Sequence, residues 1–442
     1  MAMTQQLKKN SRVLLAVALL LPAVVHAVDV QVAGEAGVGV SDNIQRAAAN
    51  ERSETIATVG VQFSVVEASR RVAADVTGDF AYMDYTRGTY ASELIGNASG
   101  SLRLNVVDER LDWVVQDNFG QTRRDLFAAQ TPANRENINY FSTGPNFSLN
   151  LFSEAKLRFS ARYARVDYEI SPFDSVRYSG QLGLERELSS ATRVSMNVNT
   201  ERVKVDALAG VADYDRQEAF ARYALQGARS SFSLDAGMSR IDLATGADSG
   251  ALVRLSLSRK VGGLSTLSFE AGREFTDAGN SLRTATGDVA LAPLGSNTLS
   301  QTANPFTSQY ARVGWEVSGR RTAFKVGAGY NDENYLAVTG ADRQRLAAYA
   351  SVARQLGARF NANLSYAYAK DDVVRANSDF SEKTASVGVA WQAGRRLAIL
   401  LSAENYQRSS QIAGGDSTEN RAWLRLRYGD ASVRQAGEPT GR

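Results

Sequence analysis

The sequence alternates apolar and polar side chains with a period of two along almost its whole length, from residue 28 to residue 428. In the segment 57–65, for example, Val59 and Val61 lie on one face of an extended chain and Gln62 lies on the other. Successive side chains of a β-strand point to opposite faces of the sheet. The pattern therefore predicts an all-β chain whose strands have one apolar face and one polar face.

Connections of two lengths separate the predicted strands. We expect about twenty strands, within a range of roughly 18 to 22, most of them long enough to cross a bilayer at the usual tilt of barrel strands. Short connections lie at 66–69, 107–110, 152–155, 227–230, 318–321 and 393–396, and longer ones at 41–53, 121–136, 206–216, 274–307 and 409–418. This alternation is typical of an up-and-down barrel with short periplasmic turns and longer extracellular loops.

The two-faced strands leave few ways to bury the apolar face. A soluble β-sandwich holds about 100 residues around one core, and no linker or break in composition divides this chain into several such units. In a membrane the apolar face can point to lipid if the sheet closes, because closure pairs every backbone N–H and C=O group. We therefore predict a transmembrane up-and-down antiparallel β-barrel in the bacterial outer membrane, with outer-membrane lipid around it.

The first 27 residues differ from the rest of the chain. Lys8, Lys9 and Arg12 form a basic leader, an apolar run follows at 13–25, and small residues surround His26. This order is typical of a cleaved signal peptide, and about 13 apolar residues are too few to cross a membrane as a helix. The predicted division of the chain is a signal peptide at 1–27, the barrel at 28–428 and a polar C-terminal tail at 429–442.

Removal of the signal peptide excludes several classes of function. The mature chain loses its only histidine, and three of the 50 basic residues, which leaves 47 basic and 47 acidic residues; it has no cysteine. Catalysis through His or Cys, zinc or iron sites built from these residues, and nucleic-acid binding driven by net charge are all disfavoured. We predict no enzyme, cofactor or metal site. Asp371 and Asp372, the obvious carboxylate pair, are predicted to lie in a solvated loop beside Lys370.

The polar face is densely charged and is predicted to line a pore. The candidate pore-lining residues are Arg158, Arg162, Arg177 and Arg193, which would form a basic patch, and Asp75, Asp79, Glu93 and Asp112, which would form an acidic counterpart. Two interpretations remain open. The charges pair across neighbouring strands, as in any wet wall, or their partial segregation creates a transverse field that orients charged solutes.

Three segments carry a resemblance to a known family: 28–44, which begins with a strand and ends in Ser-Asp-Asn-Ile, 135–145 and 177–189. Together they resemble the outer-membrane β-barrel porins found with bacterial exopolysaccharide export and PEP-CTERM (exosortase) systems. The resemblance covers residues 28 to 428 and implies a barrel, but it assigns no functional residues. The sequence departs from many barrels in that a polar tail follows the last aromatic residue, Tyr428.

These observations lead to two hypotheses of function. The first is a channel or export pore, with surface polysaccharide as the cargo that the resemblance implies and other components of an export system as partners. The second is a non-conducting structural or docking barrel whose extracellular loops bind a partner. The longest loop, 274–307, either folds inward as a constriction or lies outside as a binding surface. The oligomeric state stays open.

Overall fold

A computed structural model describes residues 28–125, 127–152, 154–206, 212–284, 304–337, 342–373 and 378–430. This part of the chain forms twenty strands, one short α-helix and one turn of 3₁₀-helix. The strands are β1 (Asp29–Ser41), β2 (Glu54–Ala68), β3 (Val72–Tyr85), β4 (Glu93–Val107), β5 (Leu111–Arg123), β6 (Arg135–Phe152), β7 (Ala155–Tyr168), β8 (Ser175–Glu187), β9 (Thr192–Val205), β10 (Tyr214–Gln226), β11 (Ser230–Leu243), β12 (Gly246–Val261), β13 (Ser265–Thr276), β14 (Phe306–Ser318), β15 (Thr322–Tyr335), β16 (Arg343–Gln355), β17 (Phe360–Val373), β18 (Phe380–Gln392), β19 (Leu397–Ser410) and β20 (Ser417–Gly429). The 3₁₀ turn is Pro132–Asn134, and helix α1 is Ala278–Thr284.

The strands form one closed antiparallel sheet. Each strand pairs with the next in sequence, and β1 pairs with both β2 and β20, with Ala33 opposite Gly429 and Ser41 opposite Arg421. The prediction of a closed up-and-down barrel with about twenty strands is confirmed. Among the described residues, no helix is long and apolar enough to span a membrane. The predicted signal peptide and the predicted tail beyond residue 430 lie outside the described residues.

The apolar face points away from the lumen. Val61 is 39% exposed on the outer surface, whereas its neighbour Gln62 is 6% exposed on the inner one. Large aromatic side chains also stand on the outer surface, among them Trp113, Trp315 and Trp391, each at least 40% exposed. A closed barrel with an apolar, aromatic-bearing exterior and a polar interior is the outer-membrane type. The barrel is therefore an integral outer-membrane barrel.

The connections are sorted by length between the two ends of the barrel. The turns after β2, β4, β6 and the other even-numbered strands are short, and the described chain begins and ends on their side. The connections after odd-numbered strands are longer, with one exception: β11 and β12 are joined by only two residues, between Leu243 and Gly246. The predicted alternation holds except at that hairpin. Short turns mark the periplasmic end.

Five extracellular loops are closed by the same hydrogen bond. In each, an Asp immediately before the descending strand accepts the backbone N–H of the last residue of the ascending strand, at 2.7–3.0 Å. The five are Asp174, Asp213, Asp342, Asp379 and Asp416, and we call them the Asp clamps. Asp side chains are suited to this role because they bond to nearby backbone groups in turns. The clamps tie each strand pair together where its backbone ladder ends.

Candidate functional site: a charged lumen narrowed by two inward elements

Cross-strand ion pairs cover the inner face of β9 to β13. Arg216 bonds to Glu201 at 2.6 Å, and Arg254 bonds to Glu218 at 2.9 Å and to Glu274 at 2.6 Å. A further ion pair joins Arg222 on β10 to Asp235, which lies directly opposite on β11. We call the residues of these ion pairs the first belt. Because an antiparallel register places opposite residues on the same face, one alternating pattern builds the whole belt.

A second belt follows the inner face of β15 to β19. Arg343 bonds to Glu333 at 2.9 Å, Arg345 to Asp371 at 2.8 Å, and Arg408 to Glu382 at 2.8 Å. All six side chains are buried. Burial of charges at this density requires paired partners, because an isolated ion would lose its hydration without compensation.

The second belt corrects the prediction for Asp371 and Asp372. They were expected in a solvated loop, but β17 extends through Val373, and Asp371 is fully buried opposite Arg345. Asp372, the next residue, points outward and pairs with Lys370. The strand continues because Asp371 finds a guanidinium on the neighbouring strand. The two carboxylates face opposite sides of the wall and do not form a catalytic pair.

A cavity of about 570 Å³ lies in the lumen against the first belt. Hydroxyl and amide groups account for much of the remaining lining, for example Ser142, Ser160, Asn199 and Asn331, and Tyr310 presents an aromatic ring. Arg216, Arg222 and Arg254 in this lining are bonded to carboxylates, whereas Arg162 donates to backbone oxygens. The wall thus offers many hydrogen-bond partners with its charges largely compensated. Such a wall suits polar solutes.

The start of the longest loop folds into the lumen. Asp277, the first residue after β13, is buried and accepts two hydrogen bonds from Arg177 on β8, at 2.6 and 2.8 Å. The hydroxyl of Tyr214 on β10 donates to the same carboxylate at 2.7 Å. At Gly279, an added Cβ would lie 2.7 Å from Val166, so only glycine fits against the wall. We call Asp277, Arg177, Tyr214 and Gly279 the loop anchor. It holds α1 against the inner face.

The loop anchor refines the sequence prediction for the connection 274–307. Residues 274–276 belong to β13 and residues 306–307 to β14, so the connection is shorter than expected at both ends. Its described beginning, through α1, turns inward, as the constriction hypothesis requires. Residues 285–303 lie outside the described residues.

We expect the loop anchor to persist in mildly acidic solution. Burial disfavours the charged form of Asp277, but the adjacent Arg177 guanidinium outweighs it and holds the pKa of Asp277 well below its ordinary value. A carboxylate with a lowered pKa stabilises the folded state above its ordinary pKa, and this contribution is lost only as the pH falls toward the lowered value. Hydrogen exchange of the α1 amides, corrected for its intrinsic dependence on pH, should therefore be unchanged between about pH 7 and pH 5. A reversible rise in that interval would contradict this assignment.

The β5–β6 hairpin is the second inward element. Arg123, at the end of β5, bonds to both carboxylate oxygens of Glu382 on β18, at 2.6 and 3.1 Å. Arg408 on β19 donates to the backbone oxygen of Phe127 in the hairpin loop, and Tyr406 donates to Glu382 at 2.6 Å. Around the closed sheet, β19 lies six strands from β5. The hairpin tip therefore reaches across the mouth of the barrel.

The four predicted basic residues lie on the inner face of β7, β8 and β9, but each has its own partners. Arg158 pairs with Glu185 at 2.8 Å, and Arg193 lies 3.9 Å from Glu187. Arg162 donates to the backbone oxygens of residues 145 and 161, at 2.9 and 2.8 Å, and Arg177 belongs to the loop anchor. This geometry favours the cross-strand pairing interpretation for Arg158, whereas the carboxylate that bonds Arg177 lies in the connection after β13.

The four predicted acidic residues lie on the inner face of β3, β4 and β5. Glu93 accepts a hydrogen bond from Tyr85 at 2.5 Å and pairs with Arg135, and Asp79 accepts one from Gln62 at 3.2 Å. The register places Asp75 opposite Ser101 and Asp112 opposite Asn105. Within the described chain, no group of three or more His, Cys, Asp and Glu residues could hold a metal ion.

No protein-family model matches the chain, and no curated protein matches it. Solved structures of similar architecture include the siderophore receptor PirA from Pseudomonas aeruginosa, at 12% identity and a TM-score of 0.42, covering 90% of this chain and 80% of that one. The FrpB iron transporter from Neisseria meningitidis is 8% identical, with a TM-score of 0.46 and coverage of 91% and 81%. OccAB3 from Acinetobacter baumannii is 9% identical, with a TM-score of 0.37 and coverage of 92% and 99%.

Proposed function

We propose that the protein is a passive outer-membrane channel for polar solutes. The observation that carries this proposal is the water-compatible cavity of about 570 Å³ inside a closed wall whose outer face is apolar. Single-channel recording in a planar bilayer tests it. Discrete conductance steps from purified, folded barrel are expected, and their absence would contradict the proposal.

The cargo that we propose is an uncharged, hydroxyl-rich solute such as a polysaccharide, on an export route. Two things support it: the compensated charges and many hydroxyl and amide groups of the cavity, and the sequence resemblance to porins of exopolysaccharide systems. Hydroxyl groups of a sugar can exchange water hydrogen bonds for wall hydrogen bonds at little cost. A neutral oligosaccharide should therefore interrupt the ion current more often than a charged peptide of similar size.

A second candidate function is a docking barrel that does not conduct. The observation that favours it is the pair of inward elements, both held by buried ion pairs in the described part of the lumen. A barrel whose mouth stays closed by these contacts would present its extracellular loops to a partner. The bilayer recording separates the two candidates, since only the channel gives current steps.

We expect the charges near β7 to β9 to tune ion selectivity only modestly. Replacing Arg158, Arg162 and Arg193 with Gln removes three positive charges from the inner face and takes the ion-pair partner of Glu185 away, while Glu187 keeps Lys156 at 3.6 Å. The reversal potential should therefore shift toward cations. Charges in a water-filled lumen are screened over about 8–10 Å at physiological salt, so the shift should be largest at low salt. Stability should hardly change, because the two ion pairs involved are partly exposed.

Lys383→Gln is the matched control for this triple variant. Lys383 stands on the outer face of β18, and its removal changes the net charge without touching the lumen. An equal shift in both proteins, or none in the triple variant at low salt, would refute a selective role for the inner arginines.

A further inference from the structure

The periplasmic turns of one half of the barrel carry only positive charge. The segments that join β10 to β11, β12 to β13, β14 to β15, β16 to β17 and β18 to β19 lie at 226–231, 258–266, 318–322, 353–361 and 391–398. They contain no aspartate or glutamate, and each of their basic side chains is exposed. These basic residues, which we call the basic arc, are Arg229, Arg259, Lys260, Arg320, Arg321, Arg354, Arg359, Arg395 and Arg396.

The other half of the periplasmic rim holds charges of both signs. Arg70, in the turn after β2, bonds to Asp108, in the turn after β4. Glu154, in the turn after β6, lies 3.5 Å from Arg186 near the end of β8. Within the described chain, no member of the basic arc has a carboxylate partner of this kind. The rim is therefore asymmetric, with uncompensated positive charge on the side of β10 to β19.

Backbone hydrogen bonds show which face of the wall several of these arginines continue. In four of the turns, the last residue before the next strand is an arginine whose backbone oxygen accepts a hydrogen bond of 2.7–2.9 Å from the end of the neighbouring strand. These four are Arg229, Arg321, Arg359 and Arg396. Each bond extends the ladder by one residue, so the alternation continues and the four side chains belong to the inner face. By the same alternation, Arg259 and Arg354 belong to the outer face.

This division separates two kinds of occupant. Phospholipid of the inner leaflet surrounds the barrel from outside, so its headgroups meet Arg259 and Arg354 but not the four inner arginines. An occupant of the inner arginines must lie beneath the periplasmic opening. The basic arc also runs along neighbouring strands from β10 to β19, which at about 4.8 Å per strand extend over roughly 40 Å. This length fits the surface of a protein better than a small solute.

The uncompensated charge ends at the rim. On the inner face just above it, Lys325 lies 3.7 Å from Glu316, and Arg312 lies 3.7 Å from Glu270. The first belt, higher in the wall, is also paired. An anionic solute would be attracted to the opening but would gain no further attraction inside the lumen. The charge therefore suits a partner that stays at the opening.

Arginine is suited to the carboxylates of such a partner. All members of the basic arc except Lys260 are arginines, and a guanidinium group binds a carboxylate through two parallel hydrogen bonds. We propose that the basic arc is the docking site of a periplasmic protein that presents an acidic surface to the opening of the barrel. This docking does not require conduction, so it stands independently of the proposed channel.

The first experiment measures the binding of a labelled polyglutamate peptide to the folded barrel in zwitterionic nanodiscs. Arg321→Gln with Arg396→Gln should weaken binding by about twofold to thirtyfold, because two exposed ion pairs are lost. Arg259→Gln with Arg354→Gln is the matched control. It removes the same charge from the outer side of the same rim and should bind like the wild type. All four side chains are exposed, so both variants should fold.

The second experiment detects the partner in living cells. A photo-crosslinking amino acid is substituted for Ala358, in the turn after β16, or for Ser190, in the turn after β8 on the other half of the rim. Irradiation should give one discrete protein adduct at position 358 and none at position 190. The adduct should disappear in the variant Arg321→Gln with Arg396→Gln and persist in the control variant, because only the former loses the inner charge.

The proposal stands only if both experiments give these results. Equal loss of peptide binding in the two paired variants would show that the inner position of the arginines is irrelevant and would overturn it. Adducts with phospholipid alone, or no protein adduct at position 358, would also overturn it, as would a protein adduct that persists without Arg321 and Arg396.

Discussion

Val61→Arg is expected to prevent most of the protein from assembling, whereas Gln62→Arg, one residue away, is expected to assemble almost normally. Val61 faces lipid in the middle of β2, where a cationic side chain costs about 2–4 kcal/mol. That is a large part of a total stability of about 5–15 kcal/mol. Gln62 faces the lumen and bonds to Asp79, so an arginine there gains a carboxylate partner.

The ratio of folded to unfolded protein after outer-membrane extraction measures this difference, because a folded barrel migrates differently from a heated one in detergent gels. The two variants add the same charge to adjacent positions, so each serves as the control for the other. Similar losses in both would show that the assignment of faces is wrong.

Asp277→Asn is expected to free the longest loop and raise the conductance of the proposed channel. The substitution removes the carboxylate that Arg177 bonds at 2.6 Å and leaves it only Glu201, 3.9 Å away and already bonded to Arg216. Breaking a buried ion pair in this way costs about 3–5 kcal/mol in the anchored state. At that cost the anchored state is nearly empty, since each 1.4 kcal/mol changes an equilibrium about tenfold. The barrel itself should survive, because Arg177 can reach water once the loop has left. Single-channel conductance and hydrogen exchange of α1 measure the release.

Asp372→Asn is the matched control for the loop anchor. It removes one carboxylate from the exposed pair with Lys370 on the outer face, a contact that contributes about 0–1 kcal/mol. Conductance should stay at the wild-type value. If Asp277→Asn also conducts like the wild type while its barrel is folded, the constriction lies elsewhere and the docking function gains support.

The fold was accessible from the sequence because one simple rule applies along the entire wall. Lipid demands an apolar outer face at every strand, and water demands a polar inner one, so a period of two fixes the side on which Val61 and Gln62 stand. The prediction for Asp371 was wrong because two adjacent acidic residues are typical of a loop. The residue that stabilises Asp371 within its strand, Arg345, lies on a different strand.

The candidate site could be predicted from the sequence only in part. Alternation places Arg177 on the inner face, but it cannot reveal that its partner is Asp277, a hundred residues later and beyond the end of a strand. The same limit applies to Arg123 and Glu382, which are 259 residues apart. Such contacts depend on the path of a loop across the lumen, and no periodic sequence pattern predicts that path. A local signal did exist for the Asp clamps, since an Asp stands directly before five descending strands.

The Asp clamps determine which changes the extracellular loops of this protein can accept. Each clamp closes its strand pair with one side chain and one backbone amide, as Asp213 does with Val205 and Asp416 with Ser410. The clamp closes the strand pair whichever residues lie between the two bonded positions. Insertions and substitutions there can be accepted without disturbing the membrane-spanning ladder. The sequences of the extracellular loops can therefore change, and with them the surface that phages or antibodies contact, while the barrel stays the same.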